Sequence, residues 1–338
     1  MTIQQHLEDR LKNSVKYSLS EEDSKIIKYE GIETFIYRKL TSTKYRKTSV
    51  DSDSEKRVKE AIHINVLNNQ PIKITYPFGA YKIWRVPTYP AVDWAEFMVI
   101  SYVCRYVASI VSAYKPGVEI TFSSDDVVIE LIDNYPRKDS DAYITSFKKL
   151  LSTFKKYLPE NLKLNLKQVV PDIYSLEEYK DELNLLFIEL KAIGITDERK
   201  TALKKSFEFN FQRNGKIDLT DNDDYEKVLG ELMIYSEVYL KLKKRRAFNR
   251  GDDKIMIFSN RLPNALDIGS TSVSKAKFWA GIGVLEHLDN KNYDRILTPK
   301  QWEENKAKVV WEESDLINLP NFNKTPVFYE RFNFLDNK

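Results

Sequence analysis

The segment from residue 71 to 134 constrains the fold most, because its hydrophobic pattern changes period twice. Residues 72 to 76 alternate between apolar and polar side chains, which is typical of a half-buried strand. From Asp93 onward the apolar residues recur every three or four positions, as they do along one face of a helix. These residues are Phe97, Ile100, Cys104, Val107, Val111 and Tyr114. Alternation returns at residues 118 to 122, so the segment predicts a strand, a helix and a second strand.

Both ends of the predicted helix carry boundary signals. Asp93 and Glu96 have the spacing of a capping box, in which each side chain satisfies a backbone amide at the start of the helix. Lys115-Pro116-Gly117 ends the helix with a residue that cannot continue it and one that is free to adopt positive φ. A helix of this length between two strands implies a parallel, right-handed crossover. We therefore predict an α/β, Rossmann-like fold with a mainly parallel sheet and a helical insertion.

Three polar residues, Ser124, Asp125 and Asp126, follow the second predicted strand. Ligands of open α/β sheets bind beyond the carboxyl ends of the strands, so we take these residues as catalytic candidates. A purely structural turn is the alternative, because Asp side chains stabilise turns through local hydrogen bonds. A magnesium site formed by Asp125 and Asp126 is a further alternative, since this ion requires only oxygen ligands. No histidine has metal-ligand spacing with another His or Cys, so zinc is not expected.

A second polar region follows the apolar run at 255–258, which predicts a buried strand. A guanidinium just beyond a strand end can clamp a carboxylate or phosphate, and a hydroxyl residue can cap a helix whose free amides hold a phosphate beside a lysine. The residues predicted to bind substrate in this way are Arg261, Ser270, Thr271, Ser272 and Lys275. A surface loop and an ordinary helix cap without a ligand are the alternatives.

Composition favours a soluble globular protein, with 42% hydrophobic and 30% charged residues in 338. The longest apolar stretch, 95–113, contains Arg105 and is not expected to span a membrane. No secretory signal pattern opens the chain. The single cysteine, Cys104, excludes an internal disulfide and fits a reducing compartment, so we expect a cytoplasmic protein.

We divide the chain into four parts. They are an N-terminal helical and charged segment (1–60), a βαβ-containing core (61–160), a mostly helical insertion (161–250) and a C-terminal part of the core (251–338). Helices are predicted at 141–158, 175–192, 197–209 and 222–247. The polar stretch 44–60 predicts either a mobile loop or the start of a charged helix. The segment 278–285, with two glycines, predicts a strand or a tightly packed stretch that another part of the chain approaches closely.

Nucleic-acid binding is the competing class of function. A dense basic run lies at 241–250, and 20 tyrosines offer stacking surfaces. The net charge of +3 is too small to demand such a partner, and cations near a helix C-terminus are stabilising in their own right. We keep nucleic acid as the less favoured partner.

The order of these motifs resembles the isonitrile synthase family, which includes pyoverdine and dityrosine biosynthesis proteins. The resemblance rests on Pro77 at the end of an aromatic strand, the long amphipathic helix, the stop Tyr114-Lys115-Pro116-Gly117-Val118, and Ser124-Asp125 after the next strand. Asp126 stands where the family has glycine. In that family the amine of an amino acid condenses with the ketone of a pentulose phosphate, whose carbon becomes the isonitrile.

The resemblance implies an enzyme that uses neither a metal nor a redox cofactor. Its partners would be two small molecules, an amino acid and a sugar phosphate. Lys275 and Arg261 would hold the phosphate, and Ser124 with Asp125 would bind the substrate ammonium or take up a proton. Lys82 or Arg85, after the first strand, would meet the substrate carboxylate.

Overall fold

The structure is a computed structural model and describes residues 1–79, 82, 90–124, 130, 135–201, 230, 234, 251–259, 265–269, 271 and 277–331. The helices are α1 (Ile3–Lys12), α2 (Glu21–Glu30), α3 (Ile32–Leu40), α4 (Ser52–Leu67), α5 (Trp94–Ala113), α6 (Arg137–Lys155), α7 (Leu176–Ile193) and α8 (Pro299–Asn305). The strands are β1 (Ile72–Phe78), β2 (Val118–Ser124), β3 (Leu162–Gln168), β4 (Lys254–Phe258), β5 (Leu266–Asp267), β6 (Ile282–Leu288), β7 (Lys291–Leu297), β8 (Val310–Glu313) and β9 (Lys324–Phe328).

The main sheet is parallel, in the order β3-β2-β1-β4-β5. The predicted neighbours β1 and β2 pair in register from Ile72 opposite Val118 to Phe78 opposite Ser124. Helix α5 crosses between them, as the change of hydrophobic period predicted. The α/β class and the parallel βαβ unit are therefore confirmed.

Helix α5 forms the centre of the hydrophobic core. Its N-cap is Asp93, and the predicted capping box with Glu96 is present. The helix is long and apolar enough to cross a membrane by length and composition, but 89% of its most apolar window is buried inside the protein. Burial against the sheet and the neighbouring helices explains that apolar character, because a helix that is apolar all round requires partners on every side.

A second, four-stranded sheet has the order β7-β6-β9-β8 and mixes antiparallel with parallel pairs. Its strand β6 approaches the start of α5 so closely that a Cβ atom on Gly283 would lie 2.1 Å from the amide nitrogen of Ala95. For the segment 278–285 the sequence predicted either a strand or a tightly packed stretch. The structure has a short 3₁₀ turn at Phe278–Ala280, followed by the start of β6.

Several predicted elements are present with shifted ends. The helices predicted at 141–158 and 175–192 are α6 and α7, and α4 begins at Ser52 within the polar stretch 44–60. Residues 197–201 are helical, while 202–209 lie outside the described residues, as does 222–247 apart from two helical positions, 230 and 234. The range 161–250 begins with β3, a strand of the main sheet that the sequence analysis did not identify.

Candidate active site

The chain topology places the most favourable binding position between β1 and β4. From β1 the chain passes through α5 to β2, which pairs with one edge of β1. Strand β4 pairs with the other edge of β1. At such a reversal of strand order the connections diverge and leave a crevice beyond the carboxyl ends of the strands. The residues that follow β1, β2, β4 and β5 in the chain are therefore the first to consider.

A buried ion cluster lies at this edge, where β1 ends and α5 begins. Lys82, only 1% exposed, directs its Nζ to both carboxylate oxygens of Glu96 at 3.0 and 3.2 Å. The same Nζ lies 3.2 Å from Asp93 Oδ1 and donates to the carbonyl oxygen of Phe278 at 2.8 Å. The lysine thus joins the first turn of α5 to the segment before β6.

Helix α6 and the backbone of α5 complete the cluster. The Tyr143 hydroxyl donates to Glu96 Oε1 at 3.0 Å, and the Asp93 amide donates to Glu96 Oε2 at 2.7 Å. Asp93 Oδ1 accepts from the Ala95 amide at 2.7 Å. The other oxygen, Asp93 Oδ2, is buried and has no hydrogen-bond partner among the described residues. A buried polar atom without a partner requires an explanation, and one common explanation is a ligand.

The charges of the cluster do not balance when both acids are ionised, because one ammonium faces two carboxylates. Burial, which disfavours the charged form, raises the pKa of Glu96 to about 7; the Lys82 charge acts against this shift and the Asp93 charge adds to it. Burial and the neighbouring Glu96 carboxylate raise the pKa of Tyr143, which therefore stays a hydrogen-bond donor. Near neutral pH, Glu96 can gain or lose a proton, as a general acid or base requires.

Three buried serine hydroxyls lie at or just beyond the strand ends of the same edge. Ser123 and Ser124 end β2, Ser259 follows β4, and none of the three hydroxyls has a hydrogen-bond partner among the described residues. Ser124 is level with Phe78 of β1, and continuing the β1–β4 register by three residues places Ser259 level with Phe78 from the other side. The edge therefore offers hydroxyls on both sides of β1.

The structure describes three of the residues predicted to form the site. Ser124 is fully buried at the end of β2, Thr271 is 1% exposed after β5, and Lys82 belongs to the ion cluster. The others, Arg85, Asp125, Asp126, Arg261, Ser270, Ser272 and Lys275, lie outside the described residues, as does the basic run at 241–250. Among the described residues, no group of three or more His, Cys, Asp or Glu side chains could hold a metal ion. The magnesium alternative at 125–126 stays a prediction.

Sequence reasoning assigned Asp93 and Glu96 a capping role only, and it assigned none to Tyr143. The position of the two acids in the sequence could have indicated a role in binding. They lie at the start of a crossover helix, and the first turn of such a helix lies at the carboxyl edge of the sheet, where ligands bind. The burial of these acids beside a lysine could not be predicted from the sequence, because Lys82 is fourteen positions from Glu96 and their contact depends on the fold.

The parallel sheet with its reversal of strand order, flanked by helices, places the chain in the class of Rossmann-like α/β folds. Its structure is similar to the crystal structure of the PvcA protein from Pseudomonas aeruginosa, with a TM-score of 0.58. The superposition covers 88% of this chain and 99% of that chain, at 13% sequence identity. The sequence itself matches no family model and no curated protein. The likeness shows a diverged PvcA-like fold.

Proposed function

We propose that this chain is an isonitrile-synthase-like enzyme, which condenses the amine of an amino acid with a sugar phosphate at the carboxyl edge of the main sheet. Two features support the reaction class. The chain shares the fold of PvcA, and its sequence has the order of motifs that resembles the isonitrile synthases. Because a fold hosts many activities, the argument for the chemistry must come from the site.

The unbalanced charge of the ion cluster is the observation that carries the proposal. With both acids ionised, the buried group of Lys82, Asp93 and Glu96 has one negative charge in excess, and Asp93 Oδ2 lacks a hydrogen-bond donor. A substrate ammonium supplies both the missing positive charge and the missing N–H group. Burying an unpaired charge is costly, so a cation of this kind binds with a large electrostatic advantage.

The same cluster supplies the proton transfers that the condensation needs. An ammonium must lose a proton before its nitrogen attacks a ketone, and the ketone oxygen must gain protons before it leaves as water. Glu96, with its pKa near 7, accepts one proton from the nitrogen and passes it to the oxygen, and it then transfers a second proton in the same way. The oxygen leaves as water, and the nitrogen is left double-bonded to the former ketone carbon as an iminium. Lys82 holds the two carboxylates in place, which leaves Arg85 as the partner of the substrate carboxylate. Ser124, which ends β2, and Asp125, which follows it in the chain, would contact the amine.

The phosphate of the sugar would lie on the β4 and β5 side of the crevice. Lys275 and Arg261 provide its positive charge, and the hydroxyls of Ser270, Thr271 and Ser272 provide donors. These residues follow β4 and β5 in the chain, and ligands of open α/β sheets bind beyond the carboxyl ends of the strands, which supports the proposal.

Product formation tests the proposal directly. The protein is incubated with a pentulose phosphate and each of the twenty amino acids, and isonitrile products are detected by mass spectrometry. Asp93→Asn should abolish turnover with the preferred amino acid, because it removes the carboxylate that holds the ammonium. Asp51→Asn is the control, since Asp51 is also the N-cap of a helix, α4, and lies outside the cluster. Equal losses of activity in the two variants would reduce Asp93 to a structural cap.

Ligand-induced stabilisation tests the phosphate half separately. A pentulose phosphate should raise the thermal midpoint in proportion to the logarithm of its concentration, and Lys275→Ala should remove that rise. Neutralising Lys243, Lys244, Arg245 and Arg246 should leave it unchanged. If no pentulose phosphate raises the thermal midpoint and the protein binds nucleic acid with an affinity that falls steeply with salt, the proposed enzyme is wrong and the nucleic-acid-binding alternative is favoured.

A further inference from the structure

A groove of about 630 Å³ lies away from the crevice, between the second half of α6 and the segment Asp315–Leu319. Its size is that of a small-molecule site. Helix α6 starts after β2, at the carboxyl edge, and ends before β3, at the opposite edge of the sheet. The groove extends along the second half of α6 and past its end to Tyr157, so it lies toward the edge opposite the ion cluster.

One wall of the groove is positively charged. Lys148, Lys149 and Lys156 line it, and none of the ion pairs among the described residues involves them. The hydroxyls of Ser152 and Thr153 stand between the lysines and donate to backbone carbonyls of α6, which leaves their oxygens able to accept and positions them on the helix. Asp315 is the one acid among the lining residues, and its Oδ1 accepts from the Gln4 side chain of α1 at 3.2 Å.

The other wall is largely apolar. Leu316 and Leu319 are half-buried and Ile317 is only 4% exposed, so these residues form a fixed surface on the hydrophobic core. The Tyr157 ring, 40% exposed, stands at the end of the basic wall. Lysines on a convex helix face are ordinary solvated charges. Here three of them surround a concave space that has an apolar wall and an aromatic ring.

We propose that this groove binds an organic phosphate that carries an apolar or aromatic group. The three lysines and Asp315 give the lining a net charge of +2, which matches the two negative charges of a phosphate monoester, and lysine is a common residue in phosphate binding. The apolar part of the ligand packs against Leu316, Ile317 and Leu319, and an aromatic part stacks on Tyr157. The proposal concerns a second site and does not depend on the reaction at the ion cluster.

Calorimetric titration of the full chain with adenosine monophosphate and with phenyl phosphate tests the groove. Binding of at least one of them is expected, with adenosine and inorganic phosphate binding more weakly than the intact ester. The triple variant Lys148→Gln, Lys149→Gln, Lys156→Gln should raise the Kd about tenfold or more, because it removes every ammonium group that lines the groove. The control triple variant Lys138→Gln, Lys155→Gln, Lys163→Gln changes the net charge equally, does not alter the groove lining and should bind as the wild type does.

A second variant separates the site from general electrostatics. Ser152→Trp keeps every lysine but fills the groove, and it should also raise the Kd about tenfold or more. Asp93→Asn should bind these probes normally, since the ion cluster is not part of the groove. Equal weakening in the two triple variants, or no binding of either ester, would overturn the proposal. Binding of polyglutamate that depends on the three groove lysines, without binding of the esters, would also overturn it and assign the groove to an acidic protein segment.

Discussion

At the scale of single residues, the protonation of one carboxyl in the ion cluster affects both the stability of the fold and the proposed acid–base chemistry. Lys82 contacts Asp93 and Glu96, and all three side chains are buried. Two carboxylates and one ammonium are neutral only when one carboxyl is protonated, and burial raises the pKa of Glu96 to about 7, so this carboxyl can take up a proton near neutral pH. A catalytic acid or base near neutral pH is obtained by this kind of burial and like-charge proximity.

Removing the cation should destabilise the fold strongly. Lys82→Met leaves two buried carboxylates without a counter-charge, and breaking a buried ion pair in this way costs about 3–5 kcal/mol. We expect the loss to be larger at pH 8 than at pH 6, because a carboxyl can escape its charge by taking up a proton at the lower pH. Urea unfolding of the variant at both pH values measures this. A loss below about 1 kcal/mol at both pH values would mean that water reaches the cluster.

Removing the titrating acid should change the pH dependence of stability. The pKa of Glu96 is raised by folding from the ordinary 4.5 to about 7, so the native state binds the proton more tightly than the unfolded state. The contribution of Glu96 is therefore fully present below pH 4.5 and is lost as the pH rises to 7. We expect Glu96→Gln to flatten the unfolding free energy between these pH values, by on the order of a few kcal/mol. Parallel profiles for the variant and the wild type, from urea unfolding at pH 5 and 8, would show that Glu96 stays ionised throughout.

At the scale of elements, the turn between α5 and β2 is fixed by one glycine. Gly117 has a φ of +73°, and a Cβ atom on it would lie 1.8 Å from the carbonyl oxygen of Asn161. That carbonyl accepts the Val118 amide at 2.9 Å, so the turn and the start of β3 are held together. A side chain at this position must disturb both the end of the core helix and the pairing of β2 with β3.

Substituting this glycine should therefore cost more than backbone strain alone. Gly194, after α7, also has positive φ (+78°) but has no described atom within 4 Å of the added Cβ, so Gly194→Ala measures the strain, about 1–3 kcal/mol. Gly117→Ala should exceed it by roughly 1–3 kcal/mol, because overpacking is added. Chemical denaturation of both variants gives the difference. Equal losses in the two variants would show that the turn relaxes away from Asn161.

The sequence predicted the elements whose signals are local. The unit from β1 to β2 is marked by changes of period, a capping box and the stop at Gly117, and all of these are present. Strand β3 carried a similar signal, because leucines alternate with Lys163 and Asn165 from Leu162 to Leu166, but the sequence analysis included this stretch in the mostly helical insertion. The second sheet was not predicted, because β8 is a short, exposed edge strand and β9 pairs with β6, which is distant in sequence. Lys82 was named from its place after β1, as a possible partner of the substrate carboxylate, whereas its contacts with Asp93 and Glu96 depend on the packing of α5.

At the scale of the whole molecule, a second buried ion cluster ties the start of the chain to the second sheet. Asp294 of β7 lies 2.8 Å from His6 Nε2 and 2.9 Å from Arg10 Nε, both of α1. Arg105 of α5 approaches the same carboxylate at 3.5 Å. One acid thus connects the N-terminal helix, the core helix and the second sheet. Because β6 of that sheet packs on the first turn of α5, this connection also supports the geometry of the candidate site.

Asp294→Asn should therefore loosen α1 before it unfolds the protein. Burial would raise the pKa of Asp294, but the hydrogen bond from His6 and the charge of Arg10 outweigh it and hold the pKa below its ordinary value of 3.8. The stabilisation is thus present above pH 3.8 and is lost only as the pH falls through the lower, folded-state pKa. At pH 7 the variant leaves two arginines without their carboxylate, and hydrogen exchange should accelerate in residues 3–12 more than in α5. Asp315→Asn is the control, since the one hydrogen bond from α1 to this exposed acid among the described residues comes from Gln4, and the exchange of α1 should stay almost unchanged. Uniform acceleration across α1, α5 and the main sheet would instead show that the second sheet and the N-terminal helix unfold together with the rest of the protein.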